Sequence, residues 1–201
     1  MTGITHGTAL WYASRATGVV TLLLLTVVLL LGLLVNRQGR LPGLPSFAVT
    51  GLHRNVSLLA VAFLAIHVIT AIVDPYVTIG LAAAVLPFVS SYKPFWLGLG
   101  AISVDLIGAL IVTSLARARM NRRAWRGIHW LAYAAWPLAV VHSIGSSSDA
   151  RSGLVLGVLT GCALAVAVAL AWRLSGAARE VPRAGRAAAT LSRMSARKAD
   201  L

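Results

Sequence analysis

The chain has 201 residues, of which 58% are hydrophobic and only 11% are charged. Soluble domains carry about a quarter of their residues as charged side chains, so the composition excludes an ordinary soluble fold. The net charge of +13 would suit a nucleic-acid-binding protein. We exclude that class because the basic residues lie in loops and a tail beside apolar runs, the positive-inside pattern of membrane proteins.

Five apolar runs are long enough for membrane-spanning helices, since a span needs about 20 mostly apolar residues. No signal peptide is predicted, because the first residues lack its basic cluster and the first apolar run is long enough to span. The sequence therefore predicts an all-α integral membrane bundle of five transmembrane helices. The predicted spans are residues 17–35, 53–73, 95–115, 128–144 and 154–174.

A further apolar segment, residues 76–90, is short and interrupted by Pro87, so we predict that it is interfacial or re-entrant. With five spans, fifteen basic residues lie on one side of the membrane, and only Arg15, Lys93 and Arg151 lie on the other. Basic loops face the cytoplasm, so the N-terminus is predicted outside and the C-terminus inside. A sixth span in this segment would spoil the asymmetry.

Residues 1–175 are expected to form the membrane domain, and residues 176–201 a basic, disordered cytoplasmic tail. Arginine outnumbers lysine by 16 to 2, which favours a high-GC bacterial genome and hence the bacterial plasma membrane. The single cysteine, Cys162, lies in an apolar run. One cysteine provides no internal disulfide, Fe–S cluster or c-type haem attachment motif.

Four of the five histidines lie in predicted spans, and His6 lies in the N-terminal segment. His53 and His67 are 14 residues apart on the second span. His129 and His142 are 13 residues apart on the fourth span, which runs in the same direction. His53 therefore shares the cytoplasmic depth with His129. His67 shares the outer depth with His142, about 20 Å away.

Two imidazoles at each depth suit the axial ligation of two stacked b-type haems. Neutral imidazole is a good iron ligand, and two such ligands leave no open position, which favours electron transfer over catalysis at the metal. Hydrogen-bonding helix contacts or a proton relay are the alternatives for intramembrane histidines. Zinc is disfavoured because no carboxylate or thiol completes a four-ligand site at either depth.

The two spacings differ in helix geometry. Fourteen residues fall about 40° short of four turns, so His53 and His67 share a face. Thirteen residues fall about 140° short, so His129 and His142 would not share one on a regular helix. Pro137 lies between them. We predict that local overwinding at this proline turns His142 towards its partner.

The stretches LHRNVSLLAVAFLAIH (52–67) and WRGIHWLAYAAWPLAVVH (125–142) resemble the ferric reductase-like transmembrane domain. The resemblance covers roughly residues 10–175. That group includes ferric reductases, NADPH oxidases and the haem-binding membrane subunit of a bacterial methionine sulfoxide reductase system. The resemblance implies that His53 and His129 bind an inner haem iron. It likewise implies that His67 and His142 bind an outer one, with electrons flowing outward from the cytoplasm.

Arg54 and Arg126 lie close to the inner histidines in sequence. Guanidinium groups match carboxylates, so these two arginines are candidates for binding the haem propionates. The alternative is that they only follow the positive-inside rule.

Ferric reductases and NADPH oxidases continue into a flavin and nicotinamide domain. This sequence ends 27 residues after its last predicted span and contains no G-x-G-x-x-G in a βαβ setting. We therefore expect a separate reductase or membrane quinol as electron donor. The expected outer acceptors are ferric iron, dioxygen or a redox partner protein outside the membrane.

The sequence thus predicts a dihaem b-type electron-transfer protein, the membrane component of an oxidoreductase. A quinol-oxidising cytochrome b subunit is one alternative. A haem-free transporter or proton-relay protein is another.

Asp105 lies within the third predicted span, where a charged carboxylate costs about 2.5–3.5 kcal/mol. It is expected to lie in the outer half, to be protonated or to bond a neighbour such as Ser103, and a proton or quinone role stays open. Trp130 and Tyr133 flank His129 and pack against either haem or another helix. Three glycines on this span allow close helix approach: Gly98, Gly100 and Gly108.

Overall fold

The computed structural model describes residues 2–36, 45–75, 77, 79–147 and 153–175. All regular structure in these residues is helical, because a chain in lipid must satisfy its backbone hydrogen bonds within each segment. The α-helices are α1 (Thr2–Asn36), α2 (Ser46–Val73), α3 (Pro94–Leu115), α4 (Arg122–His129), α5 (Ala132–Ser146) and α6 (Gly153–Ser175). Of these, α1, α2, α3 and α6 are each long and apolar enough to cross a membrane.

The first compact unit, which ends at Cys162, is built from two helix pairs. In this unit α1 packs along α2, α3 packs along α5, and α1 also touches α5. The buried positions between α3 and α5 are small: Ala101, Ser103 and Ala135. The Ser103 hydroxyl donates to the Ala135 carbonyl at 3.0 Å. Small residues and interhelical hydrogen bonds are the usual means of helix association in lipid, where hydrophobic burial does not favour contact.

The fourth predicted span is two helices instead of one. α4 ends at His129 and α5 begins at Ala132. Between them the N–H of Leu131 donates to the carbonyl of Ile128, and the N–H of Ala134 donates to that of Leu131. Both bonds reach back three residues, as in a 3₁₀-helix, which turns about 120° per residue where an α-helix turns about 100°.

The overwinding that we predicted at Pro137 therefore occurs earlier in the chain, and the predicted position was wrong. Over about five residues it adds about 100° of rotation, most of the deficit between His129 and His142 on a regular helix. Pro137 lies inside α5 and has no N–H, so it removes one hydrogen bond from the first turns of that helix. The weakened turn is the one that overwinds.

The segment between α2 and α3 contains only a 3₁₀ turn, Leu81–Ala84, in its described residues. Val85 is exposed there. The ring of Phe88 stacks with that of Phe95 and lies so close to Gly98 that a Cβ would overlap it. Residues 77 and 79–93 thus hold no spanning helix, as predicted.

Three buried residues of α6, Leu159, Cys162 and Val166, lie three and four residues apart on one helix face. A second compact unit begins at Ala163, within this helix. The predicted tail, residues 176–201, lies outside the described residues, and so does the side chain of His6.

One hydrogen bond joins α1 to α5 across the two helix pairs. Nε1 of Trp136 donates to Oγ1 of Thr26 at 2.9 Å, and Thr26 is buried. We expect Thr26→Val, which keeps the shape but removes the acceptor, to lower the free energy of unfolding by about 1–2 kcal/mol. Thr26→Ser keeps the hydroxyl and should lose less. Unfolding by dodecyl sulfate titration in mixed micelles measures both, and equal losses would contradict a role for this bond.

Candidate functional site: two histidine pairs

The four histidines of the predicted spans form two separate pairs. The ring centroids of His53 on α2 and His129 at the end of α4 are 6.5 Å apart, with an interplanar angle of 63°. The rings of His67 on α2 and His142 on α5 are also 6.5 Å apart, at 75°. The structure thus brings together the two combinations that helix direction predicted.

Backbone carbonyls of neighbouring helices hold three of the four rings through Nδ1. These contacts join His53 to Val28 at 3.1 Å, His67 to Ser14 at 2.7 Å and His142 to Trp96 at 2.8 Å. A carbonyl oxygen only accepts, so each Nδ1 must carry the hydrogen and donate it. Nε2 then keeps its lone pair, which is the tautomer that a metal ligand needs, and the hydrogen bond fixes the ring orientation.

A glycine follows each of these three carbonyls by four residues. The carbonyl and glycine positions are Ser14 and Gly18, Val28 and Gly32, and Trp96 and Gly100. The carbonyl of residue i in a helix points towards residue i+4, so the missing Cβ opens the oxygen to an imidazole. A Cβ at Gly18 would lie 2.9 Å from the His67 ring. One at Gly100 would lie 2.6 Å from the His142 ring.

Sequence reasoning named Gly100 as a close-approach glycine and missed Gly18 and Gly32. The signal was present, because these two are 14 residues apart on α1, the same interval that separates the paired histidines of α2. Of the other glycines named on α3, Gly98 contacts Phe88, whereas a Cβ at Gly108 would meet nothing within 4 Å.

His129 is held differently from the other three. Its Nδ1 is buried and has no hydrogen-bond partner among the described residues. Thirteen and fourteen residues after Gly100 the chain has Thr113 and Ser114, so no glycine opens a carbonyl at that level of α3. The indole of Trp125 stacks on the imidazole instead, with centroids 4.8 Å apart and planes at 24°. Sequence reasoning missed Trp125, which its i, i+4 spacing places on the same helix face.

Each pair has the spacing of two imidazoles on opposite sides of one metal ion. Two nitrogen–metal bonds of about 2.0–2.1 Å, plus about 1.2 Å from each nitrogen to its ring centre, give about 6.4 Å between centroids. The described part of the chain contains no group of three or more His, Cys, Asp or Glu placed to hold a metal. Two protein ligands suit a planar cofactor that brings its own equatorial ligands, such as haem, and do not suit zinc.

The predicted propionate partners, Arg54 and Arg126, are both exposed. Arg54 follows His53 directly and Arg126 precedes His129 by three residues, so both lie within one helix turn of this pair. Their binding to propionates stays a prediction.

The side chain of Asp105 is exposed on α3, whereas Ser103 is buried and donates to Ala135. The predicted bond between Asp105 and Ser103 is therefore wrong, because two residues apart on a helix point to different faces. Trp130 and Tyr133 contact each other, with ring centroids 5.1 Å apart.

Four helices that can cross a membrane, in a chain whose described residues contain no strand, define a multi-pass membrane protein. The family model described as "Ferric reductase like transmembrane component" matches residues 17–140, more than half of the chain. The chain belongs to this family, as the sequence motifs predicted. Membership indicates a role in membrane electron transfer with redox partners. The matched residues include three of the paired histidines, and His142 lies two residues beyond.

Comparisons with curated proteins and with solved structures gave no match.

We expect Gly32→Ala and Gly100→Ala to change stability in opposite directions. Replacing a helix-interior glycine by alanine stabilises by up to about 1 kcal/mol where there is space. A Cβ at Gly32 would meet the His53 ring at an ordinary 3.5 Å, so this variant should be neutral or stabilised. A Cβ at Gly100 would overlap the His142 ring, and such overpacking costs about 1–3 kcal/mol.

Dodecyl sulfate titration of both variants beside the parent measures the difference. If both glycines tolerate alanine equally, the tight fit of α3 against the His142 ring is not a constraint on the fold.

Proposed function

We propose that this protein carries electrons across the membrane through two b-type haems. His53 and His129 would hold one haem iron, and His67 and His142 the other. The observation that carries the proposal is the ring spacing of 6.5 Å in both pairs, which leaves room for one metal ion between each two imidazoles.

The protein's own part in this function is to orient the ligands. The Nδ1–H groups of three histidines donate to helix carbonyls, so their Nε2 lone pairs are directed in fixed rings. Two imidazoles per site fill both axial positions and leave little reorganisation on a change of charge. Bound haem supplies the one-electron chemistry. The apolar helices around the pairs exclude water.

A proton relay is less well supported than electron transfer. A relay needs groups that both give up and take back a proton along a connected path. Three of the four imidazoles donate instead to a backbone carbonyl, which has no proton to pass on. The two histidine levels are also separated by about 20 Å along α2, too far for direct proton exchange.

The direction of transfer follows from the predicted topology. The basic loops place the His53–His129 pair at the cytoplasmic side, so electrons would enter there and leave from the His67–His142 pair. We propose a separate reductase or membrane quinol as donor. Ferric iron, dioxygen or a redox protein outside the membrane would be the acceptor. The protein would then be the membrane component of an oxidoreductase in a bacterial plasma membrane.

Haem content measured by the pyridine haemochrome method tests the proposal. We expect two b-type haems per chain in the purified parent. His67→Ala, His142→Ala and the double variant should each contain one, because each substitution removes a ligand from the same site. The combination His53→Ala with His67→Ala should contain none, since it removes one ligand from each site.

His6→Ala is the matched control, since this histidine belongs to neither pair, and it should keep both haems. A parent without haem after reconstitution would contradict the proposal and favour the haem-free transporter. A double variant of His67 and His142 that holds fewer haems than either single variant would contradict the pairing. Reduction of the bound haem by a quinol analogue alone would favour the quinol-oxidising cytochrome b subunit.

A further inference from the structure

We propose that the protein binds one anionic phospholipid, by its phosphate, in a cavity beside the His53–His129 pair. The cavity, of about 650 Å³, is open to the outside and lies between the end of α3 and the start of α4. Its lining includes Leu115, Arg117, Met120, Arg122, Trp125 and Arg126. We call it the arginine cavity. The proposal does not depend on haem.

Charge selects an anion as the ligand. Three guanidinium groups, those of Arg117, Arg122 and Arg126, line the cavity, and no Asp or Glu of the described residues does. The sequence has no acidic residue between Asp105 and Asp149, so this stretch provides no local counter-charge. Guanidinium groups bind phosphate oxygens through paired, charge-assisted hydrogen bonds. A phosphate group would therefore be held by several donors at once.

The surroundings of the cavity favour a lipid over a soluble phosphate. Leu115 is the last residue of α3, lines the cavity and is 82% exposed. Val112, three residues earlier on the same face, is 64% exposed. An apolar strip thus runs from the cavity along a membrane-spanning helix. A phosphate in the arginine cavity would lie at headgroup level, with the acyl chains beside this strip.

Trp125 connects the cavity to the histidine pair. The Arg117 guanidinium carbon lies 4.5 Å from the centre of the Trp125 ring, which also stacks on His129. Nε1 of Trp125 is buried without a hydrogen-bond partner in the described residues, so a donor remains for a phosphate oxygen after a small side-chain movement. An indole with an apolar body and one polar N–H is well suited to the membrane interface.

The positive-inside rule alone does not explain this arrangement. The same segment carries two further arginines, Arg119 and Arg123, which are exposed and do not line the cavity. All of these side chains would serve topology equally, because that rule depends on charge and not on position. The chain therefore contains its own control for a site that depends on position.

Native mass spectrometry of the full chain, titrated with phosphatidylglycerol or phosphatidylcholine in detergent, tests the proposal. We expect the parent to retain one phosphatidylglycerol under conditions that remove phosphatidylcholine. The double variant Arg117→Gln with Arg122→Gln should bind phosphatidylglycerol about tenfold more weakly or worse. The double variant Arg119→Gln with Arg123→Gln removes the same charge and should bind like the parent.

Three results would overturn the proposal. Equal weakening in the two double variants would reduce the effect to general surface charge. Equal retention of the two lipids would remove the role of the anion. Inorganic phosphate alone, giving a retained adduct in the parent as readily as the lipid does, would assign the cavity to a soluble phosphate. Size-exclusion profiles and helical circular dichroism that match the parent confirm that each variant is folded.

Discussion

Three helix carbonyls in this protein accept a hydrogen bond from an imidazole in addition to their place in the helix. The oxygens of Ser14, Val28 and Trp96 can do so because a carbonyl has two lone pairs and because a glycine follows four residues later. Each bond requires its helix to lie against the histidine ring. The positions of α1 beside α2 and of α3 beside α5 thus depend on these contacts, and the tautomer of each ring depends on them too.

The two histidine pairs are not equivalent. Both rings of the His67–His142 pair are tied to carbonyls, whereas the other pair has one tied ring and one, His129, stacked on Trp125. An Nδ1–H···O=C bond raises the basicity of a ligating imidazole, so the two sites would present different donor strength to a metal. The sequence difference behind this is small: α3 repeats no glycine at the level of His129.

The division of the fourth predicted span into α4 and α5 serves the same geometry. A regular helix would carry His129 and His142 on different faces, yet each must meet a histidine of the straight helix α2. The 3₁₀ bonds after Ile128 supply the missing rotation within the protein, where both helices pack against α3. The break also leaves α4 short and basic, which places the arginine cavity next to His129.

The sequence alone determined the membrane class, the helix count apart from the broken fourth span, the family and the two histidine pairings. These follow from apolar run length, helix direction and the 14- and 13-residue intervals, all of which are properties of one chain segment at a time. Only the tertiary structure revealed the carbonyl acceptors, the stacking of Trp125 on His129 and the cavity beside it. These depend on how close one helix lies to another. That distance is set by which side chains are absent, as at Gly18 and Gly100, and no periodicity within a single helix records it.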